Sequence, residues 1–121
     1  MKSIPFVRSG KLHNPGGEVI LSLPGPAEHT GWIAWLNNPL NTSFRYESES
    51  GAVFTVRKER QTGRSGNVFY YWKAEKHVLG KVNRAYIGKS ANVSIRVLEA
   101  AARKLVQLEI GARDKRRKEA S

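Results

Sequence analysis

The sequence predicts an α+β fold: an antiparallel β-meander of three to four strands backed by one C-terminal α-helix, with a short Trp-containing N-terminal helix. Two changes in the spacing of apolar residues predict it. From residue 43 onward apolar residues alternate with a period of two, which is typical of strands. After Ser94 they recur with the period of 3.6 that is typical of a helix. The 121 residues are enough for one hydrophobic core.

The chain divides into an arm, a domain and a tail. Residues 1–17 contain two prolines and three glycines that break any period, so we expect a flexible N-terminal arm. Residues 18–111 carry the periodic segments and form a single α+β domain in this interpretation. Residues 112–121, ARDKRRKEAS, have no apolar anchor and are expected to be a basic disordered tail.

Two short elements are expected before the meander. EVILSL at 18–23 alternates weakly and indicates a short strand, which the following Pro-Gly-Pro ends. HTGWIAWLNNP at 29–39 indicates a short helix whose apolar face is formed by Trp32, Trp35 and Leu36. We expect these tryptophans to belong to the core.

Four strands are expected to form the meander. The segments are SFRYE (43–47), AVFTVRKER (52–60), VFYYWKAEK (68–76) and VNRAYIG (82–88). Short polar or glycine-containing connections separate them, which favours antiparallel pairing of consecutive strands.

The C-terminal helix has clear signals at both ends. Ser94 is a suitable N-cap and Gly111 a suitable stop. One side of the helix carries the residues expected to cover the sheet, which are Leu98, Ala101, Ala102, Leu105 and Leu108.

A single covering helix buries one sheet face and leaves the other in water. Alternation places Phe54, Val56, Trp72, Ala74 and Ile87 among the residues of the core face. The other face then carries Thr55, Arg57, Tyr71, Lys73, Arg84 and Tyr86. A slip of one residue in register would exchange the two faces.

The net charge of +11 is concentrated in the middle and at the end of the chain. Residues 1–52 balance to zero, residues 53–90 carry nine basic residues against two glutamates, and residues 91–121 carry eight against four acidic residues. Such clustering predicts a polyanion as partner, because each neutralised phosphate releases counterions.

The residues for catalysis or metal binding are sparse. There is no cysteine, Asp114 is the sole aspartate, and His13, His29 and His77 are scattered over predicted loops. QTGRSGN at 61–67 lacks the Gly-Lys-Ser/Thr ending of a phosphate-binding loop and is expected to be a hairpin loop. We therefore expect no enzyme, no metal and no cofactor. No apolar run is long enough for a membrane span, so a cytoplasmic protein is expected.

Several motifs resemble known DNA-binding domains. The strands with an aromatic-Trp-Lys segment, the basic strand ending YIGKS and the Ser-capped helix LEAAARKL resemble the arm-type domain of phage and transposon tyrosine integrases. They also resemble the plant GCC-box-binding domain. Over roughly residues 30–106 the chain is similar to a segment at the front of some large bacterial helix-turn-helix regulators. The pieces that carry this similarity are WIAWL, SFRY, FTVRKER, FYYWK, AYIGKS and VLEAAARKL.

The resemblance implies binding of double-stranded DNA, with the exposed sheet face in the major groove. The DNA-binding residues that it implies are Arg57, Tyr71, Lys73, Arg84 and Tyr86 on the strands and Arg60, Arg64 and Lys89 at the turns. The implied role is that of a small regulator or accessory factor of a bacterial or mobile genetic element. Two alternatives stay open: an RNA- or single-strand-binding protein, and a module that docks on a protein partner in a nucleoprotein complex.

Overall fold

A computed structural model describes residues 4–23 and 29–120, with the side chains of 29, 30 and 112–120 excepted. Within these residues the strands are β1 (Phe6–Arg8), β2 (Lys11–His13), β3 (Val19–Ser22), β4 (Ser43–Glu47), β5 (Val53–Thr62), β6 (Val68–Val78) and β7 (Lys81–Gly88). The helices are α1 (His29–Asn37) and α2 (Ile95–Ala120), with a 3₁₀ turn at Ser90–Asn92 between β7 and α2.

The seven strands form one mixed sheet in the order β3-β2-β1-β4-β5-β6-β7. The meander over residues 43–88 is present as β4 to β7, with antiparallel pairing throughout. However, β1 pairs with β4 in parallel and brings β2 and β3 into the same sheet. The predicted fold class of three to four antiparallel strands is therefore wrong.

The N-terminal residues that were expected to be an irregular arm contain a tight hairpin. Ser9 and Gly10 both have positive φ angles, of 53° and 72°, and connect β1 to β2. A two-residue loop of this kind matches the twist of the flanking strands. Val7 and Leu12 are fully buried, which explains why this hairpin is held on the sheet rather than free in solvent.

Both helices contact the same face of the sheet. The buried face includes Phe44, Val56, Trp72, Ala74 and Ile87, and it packs in one cluster with the apolar side of α2. Trp32 of α1 joins this cluster, where its Nε1 donates a hydrogen bond to the carbonyl oxygen of Val93 at 2.7 Å. The apolar period of the strands thus defines which sheet face the helices cover.

α2 begins as predicted and ends later than predicted. The Ser94 hydroxyl oxygen accepts a hydrogen bond from the Val97 backbone N–H at 3.3 Å, as an N-cap does. The helix continues through Gly111 to Ala120, across the segment that was expected to be disordered. A single glycine costs about 1 kcal/mol in a helix interior, and the alanine, lysine, arginine and glutamate residues around it favour helix.

The first prediction concerns the packing of α2 on the sheet. Leu98→Ala and Leu105→Ala should each lower the free energy of unfolding by about 2–5 kcal/mol, because both side chains are buried in the core cluster. Leu108→Ala is the matched control, since Leu108 lies on the same helix but is 40% exposed. Denaturant unfolding measures all three, and equal losses would contradict this packing.

The second prediction concerns the N-terminal hairpin. Leu12→Ala should lower the free energy of unfolding by about 2–5 kcal/mol, because it leaves a cavity beneath β2. Val19→Ala on the neighbouring strand should have a much smaller effect, since Val19 is half exposed. An unchanged midpoint for Leu12→Ala would mean that the hairpin is detached from the folded body in solution.

Candidate nucleic-acid interface

The sheet face opposite the helices brings together five of the eight residues implied by the motifs. The strand register sets Arg57 beside Lys73, Lys73 beside Tyr86, and Tyr71 beside Glu59. Arg84 lies beside Glu75 on the outermost strand. Neighbouring residues in a register point to the same side of a sheet, so these five side chains form one surface, which we call the sheet face.

The remaining three residues lie elsewhere. Arg60 is paired with Tyr70 and points to the helix side of the sheet, where the two residues line a hollow with the end of α1. Arg64 is in the loop between β5 and β6, and Lys89 directly follows β7; both are exposed. The predicted site is thus divided between the sheet face, its margin and a hairpin loop.

Two glutamates neutralise most of the charge at the centre of the sheet face. Lys73 Nζ lies 2.7 Å from Glu59 Oε2 and 3.2 Å from Glu75 Oε1. Glu75 also contacts Arg84 Nε at 3.3 Å and Arg57 Nε at 3.7 Å. The Lys73 side chain is only 18% exposed, whereas those of Arg57 and Arg84 are 62% and 60% exposed. Lys73 therefore holds the glutamates, and the two arginines are the cations that meet solvent.

The ion pairs shift the pKa values of this cluster. Partial burial acts to raise the pKa of Glu75, but hydrogen bonds from Lys73 and Arg84 outweigh it and lower the pKa below its ordinary value. The pKa of Glu59 is lowered by its hydrogen bonds with Lys73 and Tyr71. The same contact with Glu59 raises the pKa of Lys73. All three groups are consequently charged at neutral pH.

An aromatic pair lies beside the ion pairs. The rings of Tyr71 and Tyr86 have centroids 5.3 Å apart, and the Tyr71 hydroxyl donates a hydrogen bond to Glu59 Oε2 at 2.7 Å. Tyr86 is 70% exposed, so most of its ring is accessible. The two ring planes are tilted by 46°, so the exposed Tyr86 ring by itself offers a flat apolar face next to the two arginines.

The structure extends the sheet face with residues that sequence reasoning missed. Arg8 on β1 and Arg45 on β4 both contact Glu47, at 3.0 Å and 3.5 Å. Their guanidinium carbons lie 4.9 Å and 5.3 Å from the Phe6 ring centroid, respectively. Phe6 in turn stacks on His13, with ring centroids 4.7 Å apart. For β1 and β2, the one signal in the sequence was the alternation of FVR and KLH around Ser-Gly.

Comparisons with models of protein families, with curated proteins and with solved structures found no match for this chain. The resemblance to arm-type and related DNA-binding domains thus stays a prediction from its motifs. In the described part of the chain, histidine, aspartate and glutamate side chains do not gather into a group of three that could hold a metal ion. No helix among these residues has both the length and the apolar character that crossing a membrane requires.

The third prediction concerns the ion pairs. Lys73→Met should raise the pKa values of Glu59 and Glu75 toward the ordinary value, because it removes the ammonium group that both carboxylates contact. Lys104→Met, an exposed position on α2, is the control and should leave both values unchanged. Carboxyl-carbon NMR titration measures the two pKa values directly.

The sign of the effect on stability follows from the lowered pKa of Glu75 in the folded chain. The contribution of Glu75 to the free energy of unfolding is fully present above its unfolded-state pKa. This contribution is lost as the pH falls through its folded-state pKa. Lys73→Met should therefore weaken the dependence of stability on pH in the acidic range. Identical Glu59 and Glu75 titrations in the variant and the parent chain would contradict the contacts described above.

Proposed function

We propose that this chain binds double-stranded DNA with the side of the molecule that its helices leave uncovered. The observation that carries the proposal is the pair of exposed arginines, Arg57 and Arg84, on either side of Glu75. Two guanidinium groups share one carboxylate, so positive charge is left over at this position. The net charge of +11 adds a long-range attraction to polyanions.

The ion pairs of Arg57 and Arg84 with Glu75 are of a kind that contacts with DNA phosphates can replace. Exposed ion pairs contribute only about 0–1 kcal/mol, since water and salt screen them. Release of the counterions condensed on DNA supplies a larger gain for each phosphate neutralised. Arg57 and Arg84 can thus turn from Glu75 to DNA phosphates, while Lys73 stays in place to compensate the glutamates. A small bacterial or mobile-element regulator or accessory factor in the cytoplasm is the role that fits this binding.

A second candidate function, binding of RNA or single strands, is favoured by one observation. The exposed ring of Tyr86 beside Tyr71 can stack on an unpaired base, which is how many single-strand-binding proteins gain affinity. Docking on a protein partner is the third. Titration with duplex DNA, single-stranded DNA and RNA of one sequence separates them, because the duplex should bind most tightly under the first proposal. Absence of binding to all three at low salt would favour the protein partner.

The fourth prediction tests the proposed function. Arg57→Ala and Arg84→Ala should each weaken duplex binding by about tenfold at low salt, because hydrogen bonds to charged groups contribute about 1.5–3 kcal/mol. Each variant should also reduce the slope of log affinity against log salt by about one. Fluorescence anisotropy with a labelled duplex at several salt concentrations measures both quantities.

Arg103→Ala is the matched control for these variants. It removes the same charge from an exposed position on α2, on the covered side of the sheet. A general effect of net charge would weaken binding equally in Arg103→Ala and Arg57→Ala. That result would contradict a specific role for the sheet face.

A further inference from the structure

The hairpin of β5 and β6 extends beyond the rest of the sheet. Pairing of β4 with β5 ends at Ser43 and Arg57, and pairing of β6 with β7 ends at Trp72. Residues 59–71 therefore form a two-stranded projection, which we call the ribbon, and none of them is buried. At about 3.3 Å per residue the ribbon extends roughly 20 Å past the end of β4.

The dimensions of the sheet exclude its full insertion into a DNA groove. Seven strands spaced about 4.8 Å apart make a sheet roughly 29 Å wide. The major groove of B-form DNA is about 12 Å wide and about 8.5 Å deep, and it admits a helix or a two-stranded ribbon. The ribbon meets both limits, since it has only two strands and is longer than the groove is deep.

The arginines of the ribbon differ from those of the sheet face in that they form no ion pairs within the described part of the chain. Arg60 and Arg64 are exposed, and no carboxylate among the described residues pairs with either of them. The one acidic residue of the ribbon, Glu59, is bound to Lys73 and Tyr71 at its base. The outer part of the ribbon thus has a positive charge that is not compensated internally.

The ribbon also exposes apolar side chains. Val68, Phe69 and Tyr70 are each more than one-third exposed, on both sides of the ribbon. An apolar side chain in the major groove can contact the methyl group of thymine. Arginine and apolar contacts together are the means by which side chains distinguish base pairs.

The ends of the ribbon are held in defined positions. At the base, Lys58 Nζ donates a hydrogen bond to the Asn38 carbonyl oxygen at 3.1 Å and lies 5.1 Å from the Trp72 ring centroid. At the tip, the Gly63 N–H donates to Asn67 O at 2.8 Å, and Gly66 has a φ of 82°, as a three-residue hairpin loop requires. Arg64 is the first residue of that loop, so it lies at the tip.

We propose that the ribbon, tip first, is the element that enters the major groove, with Arg60 and Arg64 contacting bases. Arg57 and Arg84 then lie outside the groove and contact phosphates. This inference rests on the proposed binding of double-stranded DNA and assigns the recognition of sequence to a different surface from the sheet face that the motifs imply. It also predicts selection of B-form DNA, because the deep, narrow major groove of A-form RNA excludes the ribbon.

The fifth prediction uses a duplex selected from a random pool and an unselected duplex at one salt concentration. Arg60→Ala and Arg64→Ala should weaken binding to the selected duplex about tenfold and reduce its preference over the unselected duplex. Arg57→Ala and Arg84→Ala should weaken binding to the two duplexes by similar factors. Double-stranded RNA of the selected sequence should bind at least about tenfold more weakly than the DNA.

Disulfide trapping tests independently whether the ribbon lies in the major groove. The experiment is possible because the chain has no cysteine of its own. Single-cysteine variants are made at Ser65 in the ribbon loop, Thr55 on the sheet face and Ala100, an exposed position on α2. Each is mixed with duplexes that carry a thiol tether on cytosine N4, which projects into the major groove. Ser65→Cys should form the cross-link, and Thr55→Cys and Ala100→Cys should not.

The outcomes separate this inference from the proposed function. If the parent chain binds no duplex at low salt, the proposed function fails and the inference fails with it. If the parent binds but Thr55→Cys cross-links in place of Ser65→Cys, only the inference is overturned. Loss of sequence preference in Arg57→Ala or Arg84→Ala, with Arg60→Ala and Arg64→Ala unaffected, overturns it equally.

Discussion

The packing of Trp72 connects the sheet to the segment that leads into α2 and determines which side chains of the sheet face solvent. Its side chain is fully buried, its ring lies 5.6 Å from that of Phe44, and its Nε1 donates a hydrogen bond to Ser90 Oγ at 3.1 Å. These contacts connect β6 to β4 and to the turn before α2. With Trp72 inward, Tyr71 and Lys73 must point outward, since successive side chains of a strand alternate. The burial of one tryptophan therefore fixes the sheet face.

Because both helices cover one side of the sheet, several charged side chains of the strands are gathered on the opposite side. Arg57, Lys73 and Arg84 lie on adjacent strands and would repel one another without Glu59 and Glu75 between them. The glutamates stabilise the cluster, but they also reduce the charge that its centre presents to a polyanion. Accessible positive charge remains at Arg57 and Arg84 on the sheet face and at Arg60 and Arg64 on the ribbon. A sheet can thus carry many basic residues and still present only some of them to a polyanion.

The number of strands in the sheet and the positions at which their pairing ends limit what the sheet can contact. The parallel pairing of β1 with β4 widens the sheet beyond what a groove admits. β4 begins at Ser43 and β7 ends at Gly88, so no other strand pairs with the outer part of the β5–β6 hairpin. Both features concern which strands lie next to each other and where the pairing ends. They make the projecting hairpin, and not the middle of the sheet, the part of the molecule that fits a groove.

Local signals in the sequence were enough to predict β4 to β7, α1 and the start of α2, and the faces on which their side chains lie. Alternation from Ser43 to Gly88 gave β4 to β7 and their two faces, and Ser94 marked the start of α2, because these signals lie within a few neighbouring residues. Three features required the folded chain: Val7 and Leu12 join the sheet, Lys73 is held by two glutamates, and Leu108 lies beyond the core. Each of these depends on contacts between residues far apart in the chain, and strand order and ion pairing across strands leave no periodic mark in the sequence.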